Sequence, residues 1–154
     1  DDAFAAAALV PCLDSIEYQQ RPYSPKFRYP WADTLRALEA APDGADGSRG
    51  VRFVNPLTGG PCMDLLDSRV LQLRAGQPTR RYQSSASTIC FVIDGHGVSV
   101  IGDRRFEWGP RDVFTMPGRQ WASHTAGEEG ARLFQVSNRE VYRRLGLLSE
   151  QYAD

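Results

Sequence analysis

The sequence predicts an all-β fold, an antiparallel sandwich or barrel with short helices at its ends. Three observations carry this. From Val51 onward, short apolar runs recur at close and regular spacing. Residues that tolerate unusual backbone angles separate them, at Asp94-Gly95-His96-Gly97, Gly102-Asp103 and Gly109-Pro110. Helical periodicity is confined to segments outside this region. At 154 residues and 17.1 kDa the chain has room for one domain with a sound core and extra material at one end. Residues 1–50 read as a helical and aromatic linker segment, 51–148 as the barrel with its closing helix, and 149–154 as a tail.

Taken in order, Asp1 or Asp2 can cap an alanine-rich helix that Pro11 stops. Residues 11–30 lack periodicity but carry Tyr18, Tyr23, Phe27 and Tyr29, so they read as an ordered linker pinned by aromatic anchors. Trp31 to Ala41 repeats apolar residues at Trp31, Leu35 and Leu38, with Pro30 at its start, which predicts a helix. Pro42 to Gly50 is a loop. Strands are expected at Val51–Val54, Arg69–Leu73, Thr88–Ile93, Val98–Ile101, Arg105–Trp108, Val113–Met116, Ser123–Thr125 and Arg132–Ser137. A closing helix over Arg139–Leu145 takes Asn138 as cap and Gly146 as terminator.

Thr88 to Ile93 is apolar on both faces. One face lines the interior. The other, with Ile89, Phe91 and Ile93, would be a sticky patch if left bare, so a further domain, the N-terminal segment or another subunit is expected to cover it.

Composition excludes several classes of function. Hydrophobic content of 42%, charged content of 24% and a net charge of -1 are those of an ordinary globular chain. They argue against nucleic acid or an anionic membrane as partner. No apolar stretch is long enough to span a bilayer, and the opening run Phe4–Val10 lacks the basic flank of a signal peptide. Cys12, Cys62 and Cys90 form no CxxC pair or disulfide framework, which suits a reducing cytoplasm. With no initiator methionine, the chain reads as part of something longer.

Chemistry-bearing residues are sparse. His96 sits in a turn and reads as solvated. Asp64 and Asp67 flank Leu65-Leu66 and read as solvated loop carboxylates. Gly59-Gly60 is a structural turn, because the phosphate-cradling Gly-x4-Gly-Lys pattern is missing. Two histidines in these settings support no Ser-His-Asp arrangement. No catalytic residue is assigned.

The spacing Gly76-x5-Tyr82-x-Ser84-x3-Thr88-x6-Gly95 resembles the first motif of the cupin superfamily, in which the Tyr82, Ser84 and Thr88 positions are usually His, His and Glu. Trp108-Gly109-Pro110-Arg111-Asp112-Val113-Phe114-Thr115-Met116-Pro117 resembles the second motif, whose histidine would fall at Ala122. This resemblance implies a double-stranded β-helix, the jelly-roll barrel. Two hydroxyls and a phenol cannot hold a first-row divalent metal at neutral pH, and a lone His124 near Ala122 cannot replace a ligand set. The expected lining is therefore polar and uncharged. It is either vestigial and filled, or a small-molecule pocket, with Arg81, Tyr82, Ser84, Thr88, Trp121, Ala122 and His124 as its candidate residues and no metal.

Phe27-Arg28-Tyr29-Pro30-Trp31, Val54-Asn55-Pro56-Leu57-Thr58-Gly59-Gly60 and Asp112-Val113-Phe114-Thr115-Met116-Pro117 further resemble the C-terminal half of the gentisate 1,2-dioxygenase family, from about Pro22 to Leu148. That resemblance implies a two-barrel enzyme, cytoplasmic and tetrameric by family habit, with Fe(II) in an N-terminal cupin absent from this sequence. It implies a metal-free role for the present barrel in packing and oligomerisation, and inactivity when isolated. A stand-alone cupin binding a small aromatic acid through Arg81, Tyr82, Ser84 and Trp121, and a pure scaffold, are the competing expectations.

Overall fold

A computed structural model describes residues 24–154. The expected N-terminal helix, together with Tyr18 and Tyr23, lies outside the described residues. The order of elements is helix α1 (Trp31–Ala40), strands β1 (Arg49–Arg52), β2 (Asp67–Leu73), β3 (Tyr82–Ser84), β4 (Thr88–Ile101), β5 (Arg104–Trp108), β6 (Val113–Met116) and β7 (Ala122–Ser137), helix α2 (Arg139–Arg144), and strand β8 (Glu150–Tyr152). The result is the expected curled, all-antiparallel jelly roll. β7 is its hub, pairing with β2, β3 and β4, while β1 and β8 extend the sheet beyond β2 and β3. β4 runs against β7 from Thr88↔Ser137 to Ile101↔Ala122. Along its other edge β4 pairs first with β6 and then with β5.

Two expected breaks are absent. Asp94-Gly95-His96-Gly97 is a bend inside one 14-residue strand rather than a hairpin turn. Likewise, Ser123–Thr125 and Arg132–Ser137 merge into the 16-residue β7. The physical reason is the pairing. Register shifts at Val92/Asp94 and Gly95/Gly97 bulge β4, and both strands curve together across the two halves of the roll. Gly95 (φ 81°) makes this possible, since a Cβ there would lie 2.7 Å from Ala131 Cα and closer still to the Gly130 carbonyl.

The inner faces of β2, β4, β5, β6 and β7 converge on one cluster. Leu73, Cys90, Val92, Ile101, Trp108, Phe114, Met116 and Leu133 are all buried there, closed by Ala122, Ala126 and Ala131. α1 packs beside β1. It buries Thr34 and Leu38, while Trp31 stays 42% exposed and carries the Arg132 guanidinium over its ring at 5.5 Å. Arg132 also pairs with Asp94 at 2.7 Å, linking helix, β7 and the β4 bend. Of the expected aromatic anchors, Tyr29 is one: its hydroxyl donates to the Val54 carbonyl at 2.7 Å and its ring meets Phe53 at 5.0 Å. Phe27 is 89% exposed.

Residues 150–152, expected as tail, form β8 and pair with β3 at Tyr82↔Tyr152 and Ser84↔Glu150. Asn138 does not cap α2 with its side chain. Its amide oxygen accepts from Ser87 N at 2.9 Å, tying the helix start to the approach of β4. The outer face of β4 remains open among the described residues, with Ile89 55% and Phe91 38% exposed. No described helix is long and apolar enough to cross a membrane.

The bend yields a test. Gly95→Ala combines a left-handed backbone with a backbone clash and should cost at least about 3 kcal/mol in urea unfolding. Gly59→Ala shares the positive φ but faces open space, and should cost only about 1 kcal/mol.

Candidate functional site

Inward-facing polar side chains occupy two separate places in the barrel. The first lies within the apolar cluster. Ser99, fully buried, holds its Oγ 2.7 Å from His124 Nδ1, and Trp108 Nε1 donates to the same Oγ at 2.8 Å. Because an indole N–H can only donate, the hydroxyl accepts from Trp108 and is free to give its one proton to the imidazole. Burial pushes His124 down to about 4, so the ring is neutral at physiological pH. Phe114 lies 5.8 Å from the ring. This is the hydrogen-bonded histidine of a packed interior.

The second place is a small cavity of about 10 Å³ lined by Asp67, Arg69, Tyr82, Ser84, Ala86, Thr88, Ser137, Arg139 and Glu150, roughly the room one water needs. Its polar groups answer one another. The Tyr82 hydroxyl donates to Glu150, and Arg139 grips the same carboxylate with contacts of 2.7–3.2 Å. Burial, helped by Glu150, pushes the Tyr82 phenol up to about 12. Burial also acts to raise Glu150, but hydrogen bonds from Arg139 and Tyr82 outweigh it and hold the carboxyl below its usual range. Arg69 Nε donates to Gln135 Oε1 at 2.8 Å, and Gln135 Nε2 in turn donates to Cys90 Sγ at 3.3 Å.

Measured against expectation, Tyr82, Ser84 and Thr88 do share a cavity. Its lining is charged rather than uncharged, because β2, α2 and β8 supply Asp67, Arg69, Arg139 and Glu150. Ala122 is 3% exposed in the apolar cluster beside His124. Arg81 and Trp121 sit outside, stacked on each other at 5.5 Å. Asp67 corrects a further expectation. It is not a solvated loop residue but opens β2 with its side chain 4% exposed, and Arg52 Nε lies 2.6 Å from Oδ1. That approach is a charge contact outside hydrogen-bonding geometry, since Oδ1 has no hydrogen-bond partner. Asp64 is exposed as expected, 3.6 Å from Arg144, and His96 is exposed too.

No group of three or more His, Cys, Asp or Glu side chains able to hold a metal occurs among the described residues. The motif positions themselves do not suit one: Tyr82 is engaged by Glu150, Ala122 offers a methyl, and the Nδ1 of His124 is taken by Ser99. Iron chemistry has no fitting donor set in this barrel.

An all-antiparallel, two-motif jelly roll of this kind defines the chain as a cupin. The Cnp3 cupin domain of Schizosaccharomyces pombe matches with a TM-score of 0.52 at 14% identity, over 65% of this chain and 72% of that one, a likeness of fold alone. Over most of its length the chain is similar to the C-terminal part of dioxygenases of the gentisate 1,2-dioxygenase type. It is 39% identical over 132 residues to a 5-aminosalicylate 1,2-dioxygenase of Comamonas sp, covering 82% of this chain and 35% of that protein. It is 32% identical over 140 residues to gentisate 1,2 dioxygenase 1 of Aquipseudomonas alcaligenes, covering 88% and 40%. The crystal structure of salicylate 1,2-dioxygenase from Pseudoaminobacter salicylatoxidans superposes with a TM-score of 0.80 at 28% identity, over 87% of this chain and 39% of that one. The chain thus spans well under half the length of these relatives. No family model matches it.

The buried imidazole makes stability pH-dependent. His124 takes up a proton near 6.5 when unfolded and near 4 when folded. Its contribution is therefore complete above about pH 6.5 and fades as pH falls toward 4, by on the order of 3 kcal/mol. Imidazole nitrogen shifts of His124 should keep their neutral values at about pH 5, where an ordinary histidine is protonated; a cationic ring there would refute this assignment.

Proposed function

We propose that this chain acts as the metal-free C-terminal cupin of a gentisate 1,2-dioxygenase-like ring-cleaving enzyme, contributing packing surface and subunit contacts rather than reaction chemistry. The supporting observation is the pairing of a filled interior with an unfilled exterior. Inside the barrel Ser99, His124 and Trp108 satisfy one another, and Gln135 is held by Arg69 and Cys90. Outside, the strand β4 presents Ile89 and Phe91, and β6 adds Val113 at 62% exposure. Exposed apolar surface of that extent marks a contact.

In this reading the intact enzyme holds Fe(II) in an N-terminal cupin and cleaves a hydroxylated aromatic carboxylate between the carboxylate-bearing carbon and its hydroxylated neighbour. It works in the cytoplasm as an oligomer. The sequence identity to dioxygenases of gentisate and 5-aminosalicylate supports that substrate class. The competing picture, a stand-alone cupin gripping an aromatic acid through Arg81, Tyr82, Ser84 and Trp121, gains no support from the geometry. Two of those side chains stack outside, and two face the filled cavity.

Supplied with ferrous iron and gentisate, the 154-residue chain should consume no substrate and retain only sub-stoichiometric metal after desalting. Ring cleavage, or one metal per chain, would overturn the proposal. Light scattering should show self-association that the exposed-site double variant Ile89→Asp/Phe91→Asp weakens at least about tenfold. A variant that associates like the parent removes this face from the account.

A further inference from the structure

A further opening among the described residues lies on the other side of Phe114 from His124 and apart from the cavity at Tyr82. It is a cavity of about 860 Å³ lined by Ile101, Asp103, Arg104, Arg105, Phe106, Phe114, Thr115, Pro117 and Gln120. Its floor is apolar and ordered: Ile101 and Phe114 are buried, and Phe106 meets Phe114 edge-on at 5.4 Å. One wall is the β4–β5 hairpin tip. The other is the 117–120 turn, which is rigidly held. Arg119 sits there at φ 65°, its N–H donating to the Ser84 carbonyl at 2.6 Å and its carbonyl accepting from Gln83 Nε2 at 2.8 Å. Gly102 N donates to the Trp121 carbonyl at 2.9 Å, joining the two walls.

At the rim, the charges are unspent. Among the described residues neither Arg104 nor Arg105 forms an ion pair, although guanidinium groups elsewhere in the fold pair repeatedly with carboxylates. With Asp103 as the one acidic group in the lining, the rim carries a net positive charge. On β5, Arg104 pairs with Ile101 and shares the face of Phe106, while Arg105 pairs with the outward Val100. It is therefore the free guanidinium of Arg104 over an aromatic and aliphatic floor that forms the complement of an anion with an apolar body.

We propose that this cavity binds an organic carboxylate, its head on Arg104 and its hydrocarbon body against Ile101, Phe106 and Phe114. The site is separate from the cupin motif positions, and it stands whether or not the chain serves a dioxygenase. A rim exposed to water gives modest affinity, so NMR titration of the whole chain suits it better than enzymology.

Octanoate should produce saturable shifts of Ile101, Gly102 and Phe106. Acetate, which lacks the body, and octanol, which lacks the charge, should each bind at least about tenfold more weakly. Arg104 is exposed, so Arg104→Gln should fold, and it should weaken octanoate at least about tenfold. Arg111→Gln, outside the lining, should change nothing. The proposal falls if octanoate fails to saturate, if acetate or octanol matches it, if Arg104→Gln binds equally, or if the shifts map instead to Ile89 and Phe91.

Discussion

The pairing of β4 with β7 is the constraint on which the rest of the molecule depends. Twelve partner positions from Thr88 to Ile101 hold the two longest strands together while both turn the corner of the roll. Side chains alternate in and out along a strand, and Val92 and Ser99 lie an odd number of residues apart. It is therefore the register shifts at the bend that put Cys90, Val92, Ser99 and Ile101 on one inner surface. A slip of one residue would turn all four outward. The bulges and Gly95 are therefore the devices that let a long strand bend without losing its inner face, and Arg132 fastens the same bend from outside by pairing with Asp94.

Once that register is set, the interior chemistry is decided. A barrel of this kind binds metal only if imidazole or carboxylate groups point inward at neighbouring positions. Here the inward positions bear a methyl at Ala122, an engaged phenol at Tyr82 and an imidazole whose Nδ1 belongs to Ser99. Buried polar groups are costly unless satisfied, and both interior clusters meet that requirement almost completely. Asp67 Oδ1 is the exception, and there the Arg52 charge at 2.6 Å compensates in part. Satisfied networks of this sort hold a fold in one state.

What was legible in the sequence follows the same physics. Strand positions came from local alternation, which is written into consecutive residues; of the eight strands only the three-residue β3 and β8 were not expected. The Asp94–Gly97 segment read as a turn because glycine-rich tetrapeptides usually are turns. Only the partner strand, some thirty residues on, converts it into a bend (Asp94↔Arg132). The final strand, the Asn138 contact to Ser87 and the burial of Asp67 were hidden for the same reason, since each depends on a partner distant in sequence. Of the candidate residues, Tyr82, Ser84 and Thr88 were legible as a group by cupin spacing, since these three line one cavity. Their charged neighbours Arg69, Arg139 and Glu150 were not, for they arrive from three other elements. A polar Asp67-x-Arg69 alternation at the start of an otherwise apolar β2 was the available signal for Arg69.

β4 also explains why one strand needs hydrophobic residues on both sides. Cys90 and Val92 are fully buried on the inside, and that burial alone would allow polar residues at the alternate positions, as antiparallel sheets with one wet face normally show. Instead the outer positions are Ile89, Phe91 and Ile93. Part of that surface is already used, because Phe134, the partner of Phe91, meets Phe53, which in turn packs on Tyr29. The aromatic chain thus runs from the N-terminal segment across β1 and β7 and stops at β4. Apolar surface left in water forfeits about 25 cal/mol for each Å² that a partner could cover. On β4, Ile89 and Phe91 stay exposed past the end of that cover. The interior packs the barrel; this outer face is the part of the sequence that packing the barrel does not require.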